Sequence, residues 1–305
     1  MSRPGSRQQG ERRQHEDPKR AARKRIAEST LEAIERGTYL DVDIKDDIAI
    51  SKRSTRFYHP DSLLSSWASS QPPTPALPNK VTLVEISTLE GAKLLSGTHP
   101  DDAQRKIGVL NFASALRVGG GFRSGAQAQE ESLARSSTLY ASLTTATAQQ
   151  FYTLHNRNTK GGYYSHAMVY SPGVVVMKND AGDWEPPLKV DVLTSAAVNA
   201  GAARQTLWGR TAGAKEEVKI EAAMRERMAR ILYLFENQGA KDLVLGSFGT
   251  GVFRNDVGTV AQIWADLLFV PGARFAGSFE NVVFAILGTL TFETFREVFA
   301  QYGHG

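Results

Sequence analysis

Between residues 80 and 305 the chain alternates short apolar runs with longer stretches of helical period, and few architectures satisfy that layout. The runs are VTLVEIS (81–87), IGVLNFAS (107–114), GVVVM (173–177), KVDVLTS (189–195), DLVLGSF (242–248) and NVVFAILG (281–288). They are dense in Val, Ile and Leu, as strands are when both faces are covered. Between them, residues 216–238 carry Val218, Ala222, Met228, Leu232 and Phe235 at helical spacing, with Gly239 as the stop. Residues 257–269 repeat the pattern with Val260, Ile263, Trp264, Leu267 and Leu268, and residues 292–302 with Phe295, Val298, Phe299 and Tyr302. Strands alternating with helices predict a three-layer α/β/α domain over residues 80–305, whose ligands gather beyond the C-terminal ends of its strands.

What precedes residue 80 differs. Residues 1–25 hold nine Lys and Arg against three Asp and Glu, a net of +6; since the whole chain sums to +4, the other 280 residues carry −2. The basicity therefore belongs to a tail, expected over residues 1–20. Such a tail suits a nuclear address, a weak nucleic-acid contact or a solvated leader. Residues 21–36 read as a helix with Ile26, Ala27, Thr30, Leu31 and Ile34 on one face and Gly37 as its end. QPPTPALPNK (71–80) predicts an extended connector, so residues 21–79 form an N-terminal helical extension.

With 41% hydrophobic residues the chain can bury a large core. No apolar run is long enough to span a bilayer and no signal-peptide core is present, which predicts a soluble intracellular protein without membrane contact. The absence of cysteine excludes disulfides and thiolate chemistry. The six histidines show no metal spacing and no G-x-S-x-G elbow occurs, so neither a metal, a cofactor nor a covalent nucleophile is expected.

Two glycine loops at strand-to-helix junctions carry the chemistry. RVGGGFRSGAQAQEES (117–132) follows the strand 107–114 and precedes a helical pattern of Leu133, Ser137, Tyr140 and Leu143. Gly119, Gly120 and Gly121 leave backbone N–H groups bare for an anion, while Glu130 and Glu131 fall near a helix N-terminus. The spacing is neither a Walker loop nor the dinucleotide fingerprint. GSFGTGVFRND (246–256) follows the strand 242–248; Gly249 and Gly251 bare its backbone, Val252 and Phe253 sit at its tip, and Arg254 follows. Phe253 either stacks on a base or sugar or joins the core. Arg254 either meets phosphate or is simply exposed. Two such loops together can clasp one diphosphate. HNRNTKGGYYSH (155–166) reads as a loop that borders the site or, as the better reading, simply lies on the surface.

NFASALRVGGGFRSGAQAQEESLARSSTLY resembles the catalytic loop of the microbial-type poly(ADP-ribose) glycohydrolases of the macrodomain superfamily, whose signature is GGG, six to eight residues, then QEE. Seven residues separate Gly121 from Gln129 here. GTGVFRND resembles that family's diphosphate-binding loop, VDVLTSAAVNAG (190–201) another of its segments, and the stretch from Ala21 to about Ser62 its helical extension. Thr250 and Ala196 depart from the pattern, where a small residue, often Cys, and a Pro are expected. The resemblance implies a macrodomain-like mixed sheet and an enzyme that hydrolyses ribose–ribose bonds of poly(ADP-ribose), releasing ADP-ribose from the chain end. It implies Glu131 as general acid, Glu130 holding ribose hydroxyls and Gln129 positioning the loop. Asn111 matches an asparagine that contacts the distal ribose, or caps a turn; Phe122 and Arg123 touch substrate or shape the loop. A carboxylate at a helix start favours its charged form, so the acid is expected to keep its proton through negative neighbours and burial under ligand. Poly(ADP-ribose) or ADP-ribosylated proteins are the implied partners. A mono-ADP-ribosyl hydrolase and a non-catalytic ADP-ribose reader stand as alternatives, although a reader has no need of paired carboxylates.

Overall fold

The computed structural model describes residues 17–71, 78–99, 102 and 105–303. Residues 1–16, most of the connector prolines (Pro72, Pro73, Pro75) and His304 lie outside the described residues. The first helix, α1 (Pro18–Arg36), begins three residues ahead of the expected start. Asp17 caps it by accepting the Lys19 N–H at 3.0 Å, and Pro18 suits a first turn that needs no donor. Lys19, Arg20, Arg23, Lys24 and Arg25 are therefore helical, not part of a tail.

A two-residue hairpin, β1 (Thr38–Tyr39) and β2 (Val42–Asp43), leads to α2 (Lys45–Ser54) and β3 (Arg56–Tyr58). Then come β4 (Lys80–Val84), α3 (Thr88–Thr98), β5 (Ile107–Phe112), α4 (Gln129–Ser136), α5 (Leu139–Leu143) and α6 (Ala146–Arg157). The chain continues through β6 (Met168–Lys178), β7 (Trp184–Ser195), α7 (Ala200–Gln205), α8 (Leu207–Ala212) and α9 (Ala214–Asn237). It closes with β8 (Asp242–Leu245), α10 (Val257–Leu268), β9 (Asn281–Ala285) and α11 (Thr289–Ala300).

Seven strands form one mixed sheet in the order β3-β6-β7-β5-β8-β9-β4. β7, β5, β8, β9 and β4 pair in parallel, while β6 runs antiparallel to both β3 and β7. β3 comes from the N-terminal extension, which thereby supplies one edge of the main sheet. β6 is longer than the run 173–177 because it passes through Pro172 and Gly173. The register shifts there, and Asp191 accepts the freed Gly173 N–H at 2.9 Å and the Tyr170 hydroxyl at 2.6 Å.

Both faces of the sheet are apolar and alternate residue by residue. Leu110, Leu243, Leu245, Val282 and Phe284 point to a core shared with α9, α10 and α11. Ile107, Val109, Val244, Val283 and Ala285 point to the opposite core, shared with α3, α5 and α6. This is the expected three-layer α/β/α arrangement. Val218 and Ala222 depart from their expected place on the apolar side of α9: both are exposed, Val218 by 68%, outside the face that Met224, Met228 and Ile231 bury. A third, smaller core seats the extension, with Ala33, Tyr39, Ile44 and Ile48 against Val175 and Met177 of β6. No helix among the described residues is long and apolar enough to cross a membrane.

Candidate active site

Because five neighbouring strands are parallel, their C-terminal ends lie along one edge of the sheet. β5 and β8 are adjacent there, so the two glycine loops leave the sheet side by side. Adjacency of these loops is what clasping a single diphosphate requires.

The first loop is built around the two glutamates. Gly119 and Gly120 have φ of +65° and +58°, a region that L side chains rarely adopt. At Gly120 space is also decisive: a Cβ would stand 2.4 Å from Glu131 Oε1 and 3.0 Å from Glu130 Oε2. The Gly121 N–H donates to Glu131 Oε1 at 2.8 Å. The glycines thus seat the acid in addition to baring backbone donors. A 3-10 turn over Phe122–Ser124 and Gly125, φ +74°, carry the chain on to α4. Gln129 opens α4 and fastens it to β5. Its Oε1 accepts the Phe112 N–H at 2.9 Å, and its Nε2 donates to the Leu110 carbonyl at 2.7 Å and to Thr88 Oγ1 at 3.2 Å.

The adjacent carboxyls meet different surroundings. Glu130 is 2% exposed, and its Oε2 accepts the Ser114 N–H at 2.7 Å. Burial pushes its carboxyl up to about 8, the negative neighbour Glu131 adds to this, and the Ser114 N–H and Asn111 amide oppose it. Glu131 is only half-buried and faces the glycine loop. Asn111, the last residue but one of β5, has no exposed surface, and its Nδ2 donates to Thr194 Oγ1 at 3.1 Å. Glu130 Oε1, Asn111 Oδ1 and the Tyr152 hydroxyl are buried with no hydrogen-bond partner among the described residues. Unpaired buried polar atoms are costly, so such a group marks where a polar ligand would be received.

Phe122 does not present its ring to a ligand. The side chain is 1% exposed and packs with Ala27 of α1, Ala134 of α4 and Tyr140, its ring centroid 5.0 Å from that of Tyr140. An aromatic next to three glycines is drawn into this apolar niche, which exists because α1 folds back over the loop. Arg123 is exposed.

The second loop is held from below. Gly249 has φ +77°, and a Cβ there would be 2.4 Å from that of Ala197. Asn255, which the sequence reading passed over, donates Nδ2 to the carbonyls of Val198 at 2.7 Å and Gly249 at 2.9 Å. It precedes Asp256, the cap of α10, and an Asn-Asp pair at a helix start was the available signal. Trp264 Nε1 donates to the Gly246 carbonyl at 3.0 Å, and Thr250 Oγ1 to that of Ser247 at 2.9 Å, so the departure at Thr250 closes the turn. Ala196, the other departure, is buried and its carbonyl accepts Arg227 Nη1 at 2.8 Å. Gly251 and Val252 form the exposed tip. Phe253 is half-buried, with its ring 5.9 Å from that of Tyr164. Arg254, with φ +57°, is exposed, and its carbonyl accepts from Arg204 at 2.8 Å. Residues 155–166 are consequently no mere surface loop: His155 and Tyr164 are buried, and Tyr164 backs the tip of the second loop.

With this geometry in place, the comparisons are specific. The family model for the microbial-type PARG catalytic domain matches residues 27–179. The crystal structure of poly(ADP-ribose) glycohydrolase from Thermomonospora curvata is 39% identical with a TM-score of 0.81, covering 91% of this chain and 99% of its own. The same enzyme bound to the inhibitor ADP-HPD gives 38% identity and 0.79, with coverage of 91% and 99%. The Deinococcus radiodurans enzyme in complex with ADP-ribose gives 31% identity and 0.72, covering 83% of this chain and 97% of its own. No curated protein sequence matches the chain. A family model spanning both glutamates and structural likeness over nearly the full length lead to one conclusion: the chain belongs to the microbial-type poly(ADP-ribose) glycohydrolases.

Proposed function

We propose that this poly(ADP-ribose) glycohydrolase removes ADP-ribose units from the chain end, with Glu131 as the general acid. The observation that carries the assignment is the contrast between the two carboxyls. Glu130 is nearly sealed from solvent, whereas Glu131 is half-buried and anchored through one oxygen to the Gly121 N–H. A proton donor must reach the glycosidic oxygen, which favours Glu131.

In this account the Glu131 carboxyl passes its proton to the oxygen linking two riboses as the bond to the anomeric carbon breaks. The ribose becomes oxocarbenium-like, water adds to the anomeric carbon, and the Glu131 carboxylate takes the proton that water sheds. One carboxylate serves both transfers, so the spacing rule for paired glycosidase carboxylates does not apply. Glu130 Oε1 and Asn111 Oδ1 have no hydrogen-bond partner among the described residues: the protonated Glu130 carboxyl can donate to, and the Asn111 side-chain carbonyl accept from, the hydroxyls of the distal ribose. The Gly119–Gly121 and Gly249–Arg254 backbones cradle the diphosphate, with Val252 and Phe253 against the sugar. ADP-HPD and ADP-ribose in the relatives support carrying ADP-ribose binding to this chain. ADP-ribosylated proteins are the partners that bear such polymers. Contact of the basic N-terminus with nucleic acid is a separate partner proposal, and predicts salt-dependent binding lost on deleting residues 1–16.

The test supplies end-labelled poly(ADP-ribose) and, separately, mono-ADP-ribosylated protein. Free ADP-ribose from the outset, with chains shortened progressively from the end and no internal fragments, agrees with the proposal. Release from the mono-modified protein alone, or internal fragments appearing first, contradicts it.

A further inference from the structure

The seven residues between GGG and QEE have no regular secondary structure beyond the turn at Phe122–Ser124, yet four consecutive ones are gripped by guanidinium groups. Arg20 Nε donates to the Ser124 carbonyl at 2.8 Å. Arg23 Nε donates to the Gly125 carbonyl at 2.7 Å, and its Nη1 to Gln127 Oε1 at 3.0 Å. Arg135 Nη1 donates to the Ala126 carbonyl at 2.7 Å. Arg135 belongs to the helix that bears the acid, but Arg20 and Arg23 come from α1, about a hundred residues away in sequence.

The backbone of α1 also lies directly on the spacer. A Cβ at Gly125 would stand 2.4 Å from the Arg20 carbonyl oxygen, so only glycine admits the helix at this distance. The helix is itself fixed in place. Thr30 Oγ1 donates to the Arg135 carbonyl, and Lys178 Nζ donates to the Ile26 carbonyl at 3.0 Å and to Ser29 Oγ at 2.6 Å. Phe122 packs on Ala27 of the same helix. The spacer's own bonds are short-range: Ser124 N–H to the Gly121 carbonyl at 3.0 Å, and Ala126 N–H to the same carbonyl at 3.2 Å. They set its local turn but not its position relative to the sheet. Gly121, whose carbonyl closes that turn, is the residue whose N–H holds Glu131.

From this we infer that Arg20 and Arg23 are positioning residues for the reaction: they lock the spacer, and through Gly121 the carboxyl of Glu131. Arg20, at the end of the expected tail, and Arg23, in the expected helix, are thereby tied to turnover. The inference rests on Glu131 being the acid. Loss of the lock lets Glu131 drift relative to the glycosidic oxygen, and displacements of an ångström are expensive in rate while costing little in ligand binding.

The experiment measures kcat and KM on poly(ADP-ribose), ADP-ribose affinity by calorimetry, and thermal midpoint for the full-length chain. The variants are Arg20→Ala/Arg23→Ala, Arg23→Ala, Arg23→Lys and Arg25→Ala, with Glu131→Gln alongside. The expected result is a kcat lower by about ten- to a hundredfold in the double variant, with KM and ADP-ribose affinity within about twofold of wild type. Arg23→Lys should recover part of the loss of Arg23→Ala, since one donor can still reach the Gly125 carbonyl. Arg25, exposed on the same helix, removes an equal charge and should leave kcat at the wild-type level. Wild-type kcat in the double variant beside an inactive Glu131→Gln overturns the positioning role alone. A normal Glu131→Gln overturns the acid assignment and this inference with it. Parallel losses of kcat, affinity and midpoint, or an equal loss in Arg25→Ala, reduce the arginines to general structure and overturn the inference as well. Should the double variant not fold, Arg23→Ala and Arg23→Lys decide by the same criteria.

Discussion

Gly121 donates its backbone N–H to Glu131 Oε1 at 2.8 Å, joining the last glycine of GGG to the last glutamate of QEE across ten residues. The two halves of the motif are therefore one device. Gly120 is small because the carboxyls approach it, and the Glu131 carboxyl is oriented because the Gly121 amide is bare.

Gly120→Ala is the sharpest steric test of that device. The added methyl would stand 2.4 Å from Glu131 Oε1 on a backbone with φ +58°. A stability cost of about 1–3 kcal/mol from strain is expected, with kcat lower by about 10²-fold as the carboxyl is displaced. Steady-state kinetics and a melting curve check both; wild-type turnover would show that the glycine is there for some other reason.

Glu130 makes stability depend on pH. Its carboxyl lies at about 8 in the folded protein against 4.5 ordinarily, so the folded chain keeps a proton that the unfolded chain has released. Stability from this source is present in full below about 4.5 and lost as pH rises towards 8, at no more than about 1.4 kcal/mol per pH unit. His155 and His166, held down to about 4 and about 3 chiefly by burial, act in the opposite sense below their ordinary range. The difference between wild type and Glu130→Gln isolates the carboxyl: denaturant titrations from pH 5 to 8 should show the wild-type slope minus this term in the variant. Identical slopes would place the Glu130 proton elsewhere.

Gln129→Leu keeps the volume but strands the Phe112 N–H and the Leu110 carbonyl at the end of β5. Each unsatisfied group costs about 1–3 kcal/mol. Equilibrium unfolding should register that loss, and turnover should fall because α4 carries both glutamates. A change under about 0.5 kcal/mol, within the range of ordinary surface substitutions, would mean that the amide is not the fastening.

Gly249→Ala probes the second loop separately. Its methyl would meet Ala197 at 2.4 Å, again on left-handed backbone. The loop should lift and ADP-ribose affinity weaken by about tenfold or more, roughly the 1.4 kcal/mol that separates decades of binding. Calorimetric titration with ADP-ribose reads this directly, and undiminished affinity would remove the loop from the diphosphate site.

Much of this was legible in the chain itself, for identifiable reasons. β5, β8 and β9 are buried on both faces, so their composition alone betrayed them, and α10 showed its period. β3 was not legible, because Arg56–Tyr58 is three residues long and acquires strand character only by pairing with β6. The extent of β6 was hidden by Pro172 and Gly173, which look like a break until Asp191 is seen to satisfy the bulge. In the site, GGG and QEE announced themselves as a motif, but their direct contact did not. For Phe122 the sequence leaves two readings, touching substrate or shaping the loop, because nothing local indicates that α1 returns to cover it. Nothing tied Arg20, at the end of the expected tail, or Arg23, in the expected helix, to the loop for the same reason: their partners lie about a hundred residues away, and local pattern carries no record of such contacts.

The central claim is that Glu131 supplies the proton. Single-turnover hydrolysis of poly(ADP-ribose) by Glu131→Gln, measured beside its affinity for ADP-ribose, tests it most directly. The account predicts a rate lower by about 10²- to 10⁴-fold with ADP-ribose still bound. Near-native turnover by Glu131→Gln would contradict it.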